Sequence, residues 1–195
     1  MELFGPDLPP GFHHRDAFVS VEEHSQLADA ITRIEFGTFE MRGVVARRRV
    51  AFFGHSYDAA RGPERPIPEF LFPLRERFAE WASVAPQAFA MALINEYGPG
   101  APIGWHRDAP QYDIVAGFSL LSPAWMKFRP YLAPKDIRLR AGETMVPSAR
   151  RRTTHEIELQ PRSAYLMSGQ SRQAYEHSIP PVDALRYSIT FRTLR

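Results

Sequence analysis

The sequence predicts an α+β protein that is mainly β, in which an N-terminal α/β extension precedes a core of the sandwich or jelly-roll type. Short β-type runs separated by turn residues fill the chain beyond residue 86, whereas helical periodicity is confined to the part before it. At 195 residues the chain is predicted to form a single domain over 1–195, with the extension over 1–85 and the core over 86–195.

The extension contains signals for two helices. Ser20 followed by Glu23 is a capping-box pattern, and apolar residues then recur at helical spacing, so a helix is predicted over roughly 20–34. The rest of the extension is predicted to hold strands over 44–53, a loop over 58–68 and a second helix over 71–81.

Eight strands are predicted in the core, each a run of β-branched or aromatic residues between turn residues. They span 88–97, 104–108, 114–121, 125–130, 155–159, 164–167, 175–179 and 186–192. Because no helical segments alternate with these runs, the pattern does not favour a parallel α/β sheet.

Composition limits the chemistry that is available. The chain has no cysteine, which excludes disulfides, Cys-ligated zinc, iron–sulfur clusters and thiol nucleophiles, so His, Asp or Glu must hold any metal. Its apolar runs are too short to span a bilayer and no secretory signal is visible, so we expect a cytoplasmic protein without membrane contact. We also expect a monomer without an obligate protein partner.

The charge is nearly balanced at a formal +2, but Lys127 and Lys135 are the only lysines and every other cation is Arg. Arginine binds phosphates and carboxylates with paired hydrogen bonds, which suits nucleic acid or an acidic cosubstrate. Genomic base composition also explains such a bias, and on composition alone it is the favoured explanation.

Three residues form a candidate metal site. His106 and Asp108 are two positions apart on a predicted strand, which would place both side chains on one face. A lone His-x-Asp pair is often accidental, but His177 on a later predicted strand supplies a third ligand. Two His and one carboxylate leave open coordination positions, as in non-haem Fe(II) oxygenases.

The strand predicted over 186–192 alternates between aromatic or apolar residues and polar ones. Arg186, Ser188, Thr190 and Arg192 share the polar face. Burying two unpaired guanidiniums is costly, so a dicarboxylate lying along this face would pair with both. An exposed edge strand with its polar face in water is the alternative, and the position downstream of a candidate metal ligand favours the dicarboxylate.

Asn95 and Tyr97 end an earlier predicted strand, directly before a Gly-Pro-Gly turn. They share a face, and an amide and a phenol can both donate hydrogen bonds to carboxylate or keto oxygens. An ordinary strand end is the competing interpretation, because Asn is frequent beside such turns.

Taken together, these segments resemble the AlkB family of 2-oxoglutarate- and Fe(II)-dependent dioxygenases over about half of the chain. The elements in family order are Asn95-x-Tyr97, His106-x-Asp108, His177 after the run 169–172, and Arg186-x5-Arg192. Residues 49–57 and 66–68 look, more loosely, like the family's nucleotide-recognition region.

The resemblance implies a double-stranded β-helix core with iron on His106, Asp108 and His177, and it implies 2-oxoglutarate and O2 as cosubstrates. Arg186 and Tyr97 would hold the distal carboxylate of 2-oxoglutarate, whereas Arg192, Ser188 and Asn95 would serve its other end, with the assignment of each Arg left open. The activity implied is oxidative removal of N-alkyl groups from bases of DNA or RNA. Candidate contacts to that nucleic acid are Arg49, His55, Tyr57 and Arg172.

Two positions depart from the best-known bacterial member of the family. Pro110 stands where that member has an acidic residue that reads the damaged base, and Ser188 stands where it has Asn. A protein side chain or a small metabolite therefore remains the alternative substrate class, and a non-enzymatic sensor of iron or 2-oxoglutarate is a third hypothesis. The run Arg150, Arg151 and Arg152, within a predicted insertion over 138–152, could track phosphates or be a solvated charge run.

Overall fold

The computed structural model describes residues 8–41, 43–55, 65–132 and 155–195. Within these ranges the strands are β1 (Phe12–Arg15), β2 (Gly37–Met41), β3 (Val44–Gly54), β4 (Phe89–Tyr97), β5 (Ile103–His106), β6 (Tyr112–Leu120), β7 (Ala124–Pro130), β8 (His155–Leu159), β9 (Ala164–Met167), β10 (Tyr175–Ile179) and β11 (Arg186–Leu194). The helices are α1 (Val21–Ile31), α2 (Phe72–Ala82) and α3 (Gly169–Gln173), with 3-10 turns at Glu69–Leu71 and Pro86–Ala88. In this part of the chain no helix has the length and apolar character that crossing a bilayer requires.

Two antiparallel sheets form the core. The large sheet has seven strands in the order β1-β9-β6-β11-β4-β3-β2, and the small sheet has four in the order β5-β10-β7-β8. Apolar side chains from both sheets, such as Val115 from the large one and Phe128 from the small one, share one buried cluster. The two sheets therefore pack face to face, which confirms the predicted mainly-β jelly roll.

Helices α1 and α2 cover the outer face of the large sheet. Leu27 and Ile31 of α1 join Phe78 of α2 in the main core cluster, together with Ile189 and Phe191 of β11. The aromatic and apolar face of β11 thus points toward the helices, as its alternation predicts. The polar face of the same strand points toward the small sheet.

Strand β11 is central in the large sheet. It pairs with β4 on one side, where Ser188 lies opposite Asn95, and with β6 on the other, where Ser188 lies opposite Ser119. The alternative of an exposed edge strand is therefore wrong, because both neighbours use the backbone groups that an edge would leave open.

Several element bounds differ from those predicted. The first helix ends at Ile31, and the strand predicted over 104–108 is Ile103–His106, so Asp108 lies beyond its end. The argument that alternation along one strand puts His106 and Asp108 on the same face is therefore wrong. Strands β1 and β2 and helix α3 were not predicted, and β1 to β3 all belong to the large sheet of the core.

The capping box of α1 is present as predicted. The amide of Glu23 donates to Oγ of Ser20 over 3.1 Å, and the amide of Ser20 donates to Oε2 of Glu23 over 2.8 Å. Replacing Ser20 by Ala should lower the free energy of unfolding by about 1 kcal/mol, because it removes the cap. Urea denaturation measures this change. Ser25→Ala on the same helix is the control, expected within about 0.5 kcal/mol of wild type, and equal values for both variants would contradict the prediction.

Candidate active site

The space between the two sheets holds the polar residues predicted as a site. The polar face of β11 is buried, with Arg186 2% and Arg192 9% exposed. It lines a cavity of about 70 Å³ that the small sheet closes from the other side. The cavity brings together all eight residues predicted to bind metal or cosubstrate: Asn95, Tyr97, His106, Asp108, His177, Arg186, Ser188 and Arg192.

Two histidines face each other on neighbouring strands of the small sheet. His106 of β5 lies opposite His177 of β10 in the antiparallel register, and their ring centroids are 4.3 Å apart. Nδ1 of His106 is 2.9 Å from the carbonyl oxygen of Gly104. Because a carbonyl only accepts, Nδ1 carries the proton and Nε2 keeps the lone pair that a metal ligand needs.

Asp108 lies beside this pair in the loop that follows β5. Its Oδ2 is 3.7 Å from Nε2 of His177, while its Oδ1 accepts from Nη2 of Arg192 over 3.0 Å. Nη1 of Arg172 is 3.5 Å from Oδ2. Oδ2 is buried and has no hydrogen-bond donor within the described ranges.

The surrounding charges set the protonation of these groups. Burial alone would raise the pKa of Asp108, but the positive charge of Arg192, with smaller effects from His177, His106 and Arg172, holds that pKa well below its usual range. Burial lowers the pKa of His177 to about 3, with His106 acting in the same direction and Asp108 opposing it. The site therefore presents an anionic carboxylate and a neutral imidazole, which are the forms that bind metals.

The donor set at His106, Asp108 and His177 is of the kind that a ferrous ion needs. Across the described ranges, no three His, Asp or Glu side chains are already gathered into a complete metal-binding cluster. The Asp108 carboxylate instead contacts Arg192 and Arg172. The donor types, their burial and the unpartnered oxygen of Asp108 nevertheless fit a two-His, one-carboxylate Fe(II) site.

At the opposite end of the cavity lies the guanidinium of Arg186. Its Nη2 donates to Oγ of Ser119 over 3.1 Å, and the group lies 5.0 Å from the ring centroid of Tyr97. Nε and Nη1 of Arg186, and Nη1 of Arg192, are buried without an acceptor among the described residues. A buried cation with free donors is an anion-binding group, because such donors are costly to leave unpaired.

Sequence reasoning missed Arg48. Its Nε donates to Oδ1 of Asn95 over 3.1 Å, and the Nδ2 group of Asn95 donates to Oγ of Ser188 over 3.3 Å. Arg48 is half-buried, and burial lowers its pKa. Arg48 shares a face of β3 with Val50 and Phe52, but Ala51 and Phe53 on the face of Arg49 are also apolar and buried, so alternation does not tell the two arginines apart.

A second cavity of about 140 Å³ adjoins the first. It shares His106, Asp108, Arg192, Arg48 and Leu93 with the first cavity. Its other walls are largely aromatic or apolar and are formed by Phe39, Val50, Phe52, Met91, Ala109 and Tyr112, with Arg107. Of the aromatic residues, Phe52 lies within 49–57, the stretch that resembles the family's nucleotide-recognition region, whereas Phe39 and Tyr112 belong to no motif.

Of the four residues predicted to contact a substrate, the three that the structure describes line neither cavity. Arg49 points away from both cavities, is exposed and makes two hydrogen bonds to Glu96, over 2.7 and 2.9 Å. Arg172 is buried and donates to the carbonyl oxygens of Ala109, Tyr112 and Asp113, so it braces the loop after Asp108. His55 is exposed at the end of β3. Tyr57 and the predicted insertion over 138–152 lie outside the described residues.

Comparisons with known proteins agree with this geometry. Residues 37–192 match the model of the 2OG-Fe(II) oxygenase superfamily. An Arabidopsis thaliana protein named "Alkylated DNA repair protein ALKBH8 homolog" is 27% identical over 207 residues, covering 95% of this chain and 56% of that protein. The chain thus spans about half the length of this relative.

Two solved structures show the same fold. OsALKBH1 superposes with a TM-score of 0.69 at 15% identity, covering 95% of this chain and 99% of that one. A Pseudomonas putida prolyl-4-hydroxylase superposes with a TM-score of 0.60 at 12% identity, covering 95% and 93%. The family implies an enzyme that uses Fe(II), 2-oxoglutarate and O2. The chain belongs to the 2OG-Fe(II) oxygenase superfamily, and the AlkB-type oxygenase predicted from its ordered motifs is confirmed.

Proposed function

We propose that the protein removes N-alkyl groups from nucleic-acid bases by 2-oxoglutarate-dependent oxidation. When bound, Fe(II) and 2-oxoglutarate use O2 to form succinate and CO2 and to place one oxygen atom on the alkyl carbon, which then leaves the base nitrogen as an aldehyde. The second cavity carries this proposal, because it offers aromatic walls directly beside the His106 and Asp108 side chains.

His106, Asp108 and His177 would hold the iron. The two imidazoles are adjacent across a strand pair, and Oδ2 of Asp108 lies near the second of them without a hydrogen-bond donor in the described part of the chain. Arg192 fixes the carboxylate through Oδ1 and leaves Oδ2 available. Such partners of a ligand orient it and tune its metal affinity.

Arg186 and Tyr97 would take the distal carboxylate of 2-oxoglutarate, and Arg192, Ser188 and Asn95 would serve the end nearer the iron. This division is supported by position, because Arg186 lies over the ring of Tyr97, whereas Arg192 contacts Asp108. The unpartnered nitrogens on each guanidinium supply donors for the two ends of a diacid.

The second cavity would take the alkylated base. Phe39, Phe52 and Tyr112 give it flat apolar surfaces, and the half-buried Arg48 lies where it joins the first cavity. A base in a duplex must leave the stack to reach such a pocket, where aromatic side chains replace the lost stacking. The name of the Arabidopsis relative, an alkylated DNA repair protein, agrees with this substrate class.

The proposal is tested with methylated DNA, RNA and tRNA oligonucleotides, by measuring formaldehyde and succinate together. Wild type should release both in equal amounts on at least one substrate. Phe52→Ala should lower turnover of the base at least about fivefold, because stacking contributes about 1–3 kcal/mol per base. It should still form succinate without substrate. Val45→Ala, an exposed residue on the same strand, is the matched control.

Salt dependence separates this proposal from oxidation of a protein side chain or a small metabolite. A protein that contacts phosphates loses affinity steeply as salt rises, since each contact releases counterions. Absence of activity on every alkylated strand, with 2-oxoglutarate turnover intact, would contradict nucleic-acid dealkylation and favour the other substrate class.

A further inference from the structure

The ring of Tyr165 lines the proposed cosubstrate cavity, and the sequence alone does not predict this position. It lies on β9 directly opposite Gly117 of β6, and its ring passes over that glycine. A Cβ at position 117 would overlap Cζ, Cε1 and Oη of Tyr165. The ring also stacks on Phe12 of β1, with centroids 5.6 Å apart and planes inclined by 20°. The Tyr165 ring can therefore occupy this position because Gly117 has no side chain.

The register of the large sheet places this ring between the two arginines. Gly117 lies opposite Tyr165 on one side and opposite Thr190 of β11 on the other. Along the polar face of β11, Thr190 lies between Arg186 and Arg192. A diacid that pairs with both guanidiniums must therefore cross the row that Thr190, Gly117 and Tyr165 form.

The hydroxyl of Tyr165 is a free donor at this position. No hydrogen bond to it is found within the described ranges, although the ring lines the cavity. Burial, with the negative charge of Asp108 and the neighbouring Tyr97, raises its pKa despite the opposing charges of Arg186 and Arg192. The phenol thus keeps its proton, and a hydroxyl on the cavity wall without a hydrogen bond to the described residues can donate to a ligand oxygen there.

We propose that Tyr165 is a cosubstrate-binding residue whose hydroxyl donates to an oxygen of 2-oxoglutarate between Arg186 and Arg192, and that Gly117 is required to admit its ring. This inference rests on the proposed cosubstrate site. The ring of Tyr165 fills the space over Gly117, and its hydroxyl is the part that is available to a ligand in the cavity.

The test is the affinity of 2-oxoglutarate for protein loaded with Mn(II), measured by calorimetry without turnover. Tyr165→Phe should weaken binding about tenfold, since it removes one hydrogen bond to a charged or keto oxygen, while the thermal midpoint of the ligand-free protein stays unchanged. Tyr187→Phe is the matched control. Tyr187 lies on the opposite face of the same sheet, where its ring stacks on Phe36, and its replacement should leave affinity unchanged.

A second pair of variants separates binding from packing. Gly117→Ala should lower both the thermal midpoint and the affinity, because the Tyr165 ring must move. The double variant Gly117→Ala with Tyr165→Leu should recover the thermal midpoint, since the smaller side chain makes room for the new methyl group, but should keep the weak affinity. A double variant with wild-type affinity would overturn the inference.

The outcomes also distinguish this inference from the site on which it rests. If wild type binds 2-oxoglutarate and Tyr165→Phe binds it within twofold of wild type, Tyr165 is not a ligand-binding residue and only this inference fails. If wild type itself does not bind 2-oxoglutarate, the proposed cosubstrate site fails as a whole.

Discussion

Arg186→Gln is expected to weaken 2-oxoglutarate binding at least 100-fold while costing the ligand-free protein no more than about 1 kcal/mol of stability. Arg186 is 2% exposed, its Nε and Nη1 have no acceptor in the described part of the chain, and Asp or Glu does not pair with it there. Without ligand, its buried charge is poorly compensated, so removing it relieves a desolvation cost. With ligand, the same charge meets a carboxylate.

The size of the stability loss in the ligand-free protein tells a binding arginine from a structural one. Losing one partner of a buried structural ion pair costs about 3–5 kcal/mol, because the other charge stays buried alone. At 100 times the wild-type Kd, 2-oxoglutarate should stabilise wild type by about 2.7 kcal/mol and Arg186→Gln by no more than about 0.4 kcal/mol. Urea unfolding with and without 2-oxoglutarate measures both quantities.

Arg186→Lys serves as the control for charge alone. It keeps the positive charge but lacks the planar fork that binds a carboxylate with two parallel hydrogen bonds, so its affinity should fall between those of wild type and Arg186→Gln. Arg186 would be a structural residue if Arg186→Gln lost several kcal/mol of unfolding free energy without ligand and still bound 2-oxoglutarate normally.

The sequence predicts which residues of β11 share a face, because one face of the strand is apolar and the other is polar. The apolar face holds Tyr187, Ile189 and Phe191, so Arg186 and Arg192 lie on the opposite face whichever strands flank β11. The alternation therefore predicts the polar face that lines the proposed cosubstrate cavity before any partner strand is known. Its central place in the sheet does not follow from alternation, because that depends on pairing with β4 and β6, far away in the chain.

Other parts of the site depend on register and on loops, which local sequence does not reveal. Arg48 and Arg49 are neighbours of the same type, and only the pairing of β3 with β4 decides that the first faces Asn95 and the second Glu96. The partners of Arg172 are backbone carbonyls of the loop after Asp108, and these leave no motif. Tyr165 lies two strands away from Arg186, and its place depends on Gly117 of the strand between them.

The short elements escaped prediction for a related reason. Strand β1 spans four residues, two of them histidines, and it is fixed by pairing with β9 at the far end of the chain. Within the described part of the chain, strand β2 pairs with β3 alone and forms one edge of the large sheet. Neither carries enough alternation to predict a strand, since long-range pairing supplies most of their stabilisation.

Asp108→Asn should lower the affinity for Fe(II) or Mn(II) at least 100-fold and should also destabilise the metal-free protein by about 3 kcal/mol. The loss of metal affinity follows from the loss of a charged ligand, which should exceed the 10- to 100-fold cost of losing an outer partner. The loss of stability follows because Arg192 and Arg172 then share a buried space without their counter-charge. Anaerobic calorimetry and urea unfolding of the metal-free protein measure the two effects.

His106→Ala separates the loss of metal affinity from the loss of stability. It removes a proposed ligand of the same metal, but among the described residues its hydrogen bond is to the nearby Gly104 carbonyl, so metal affinity should fall equally while stability stays within about 1 kcal/mol of wild type. His13→Ala, which replaces an exposed histidine on β1, should change neither.

Unchanged metal affinity in both Asp108→Asn and His106→Ala would place the metal elsewhere. A stable Asp108→Asn protein that has lost its metal would mean that Arg192 and Arg172 do not need the carboxylate, and that Asp108 serves the metal alone.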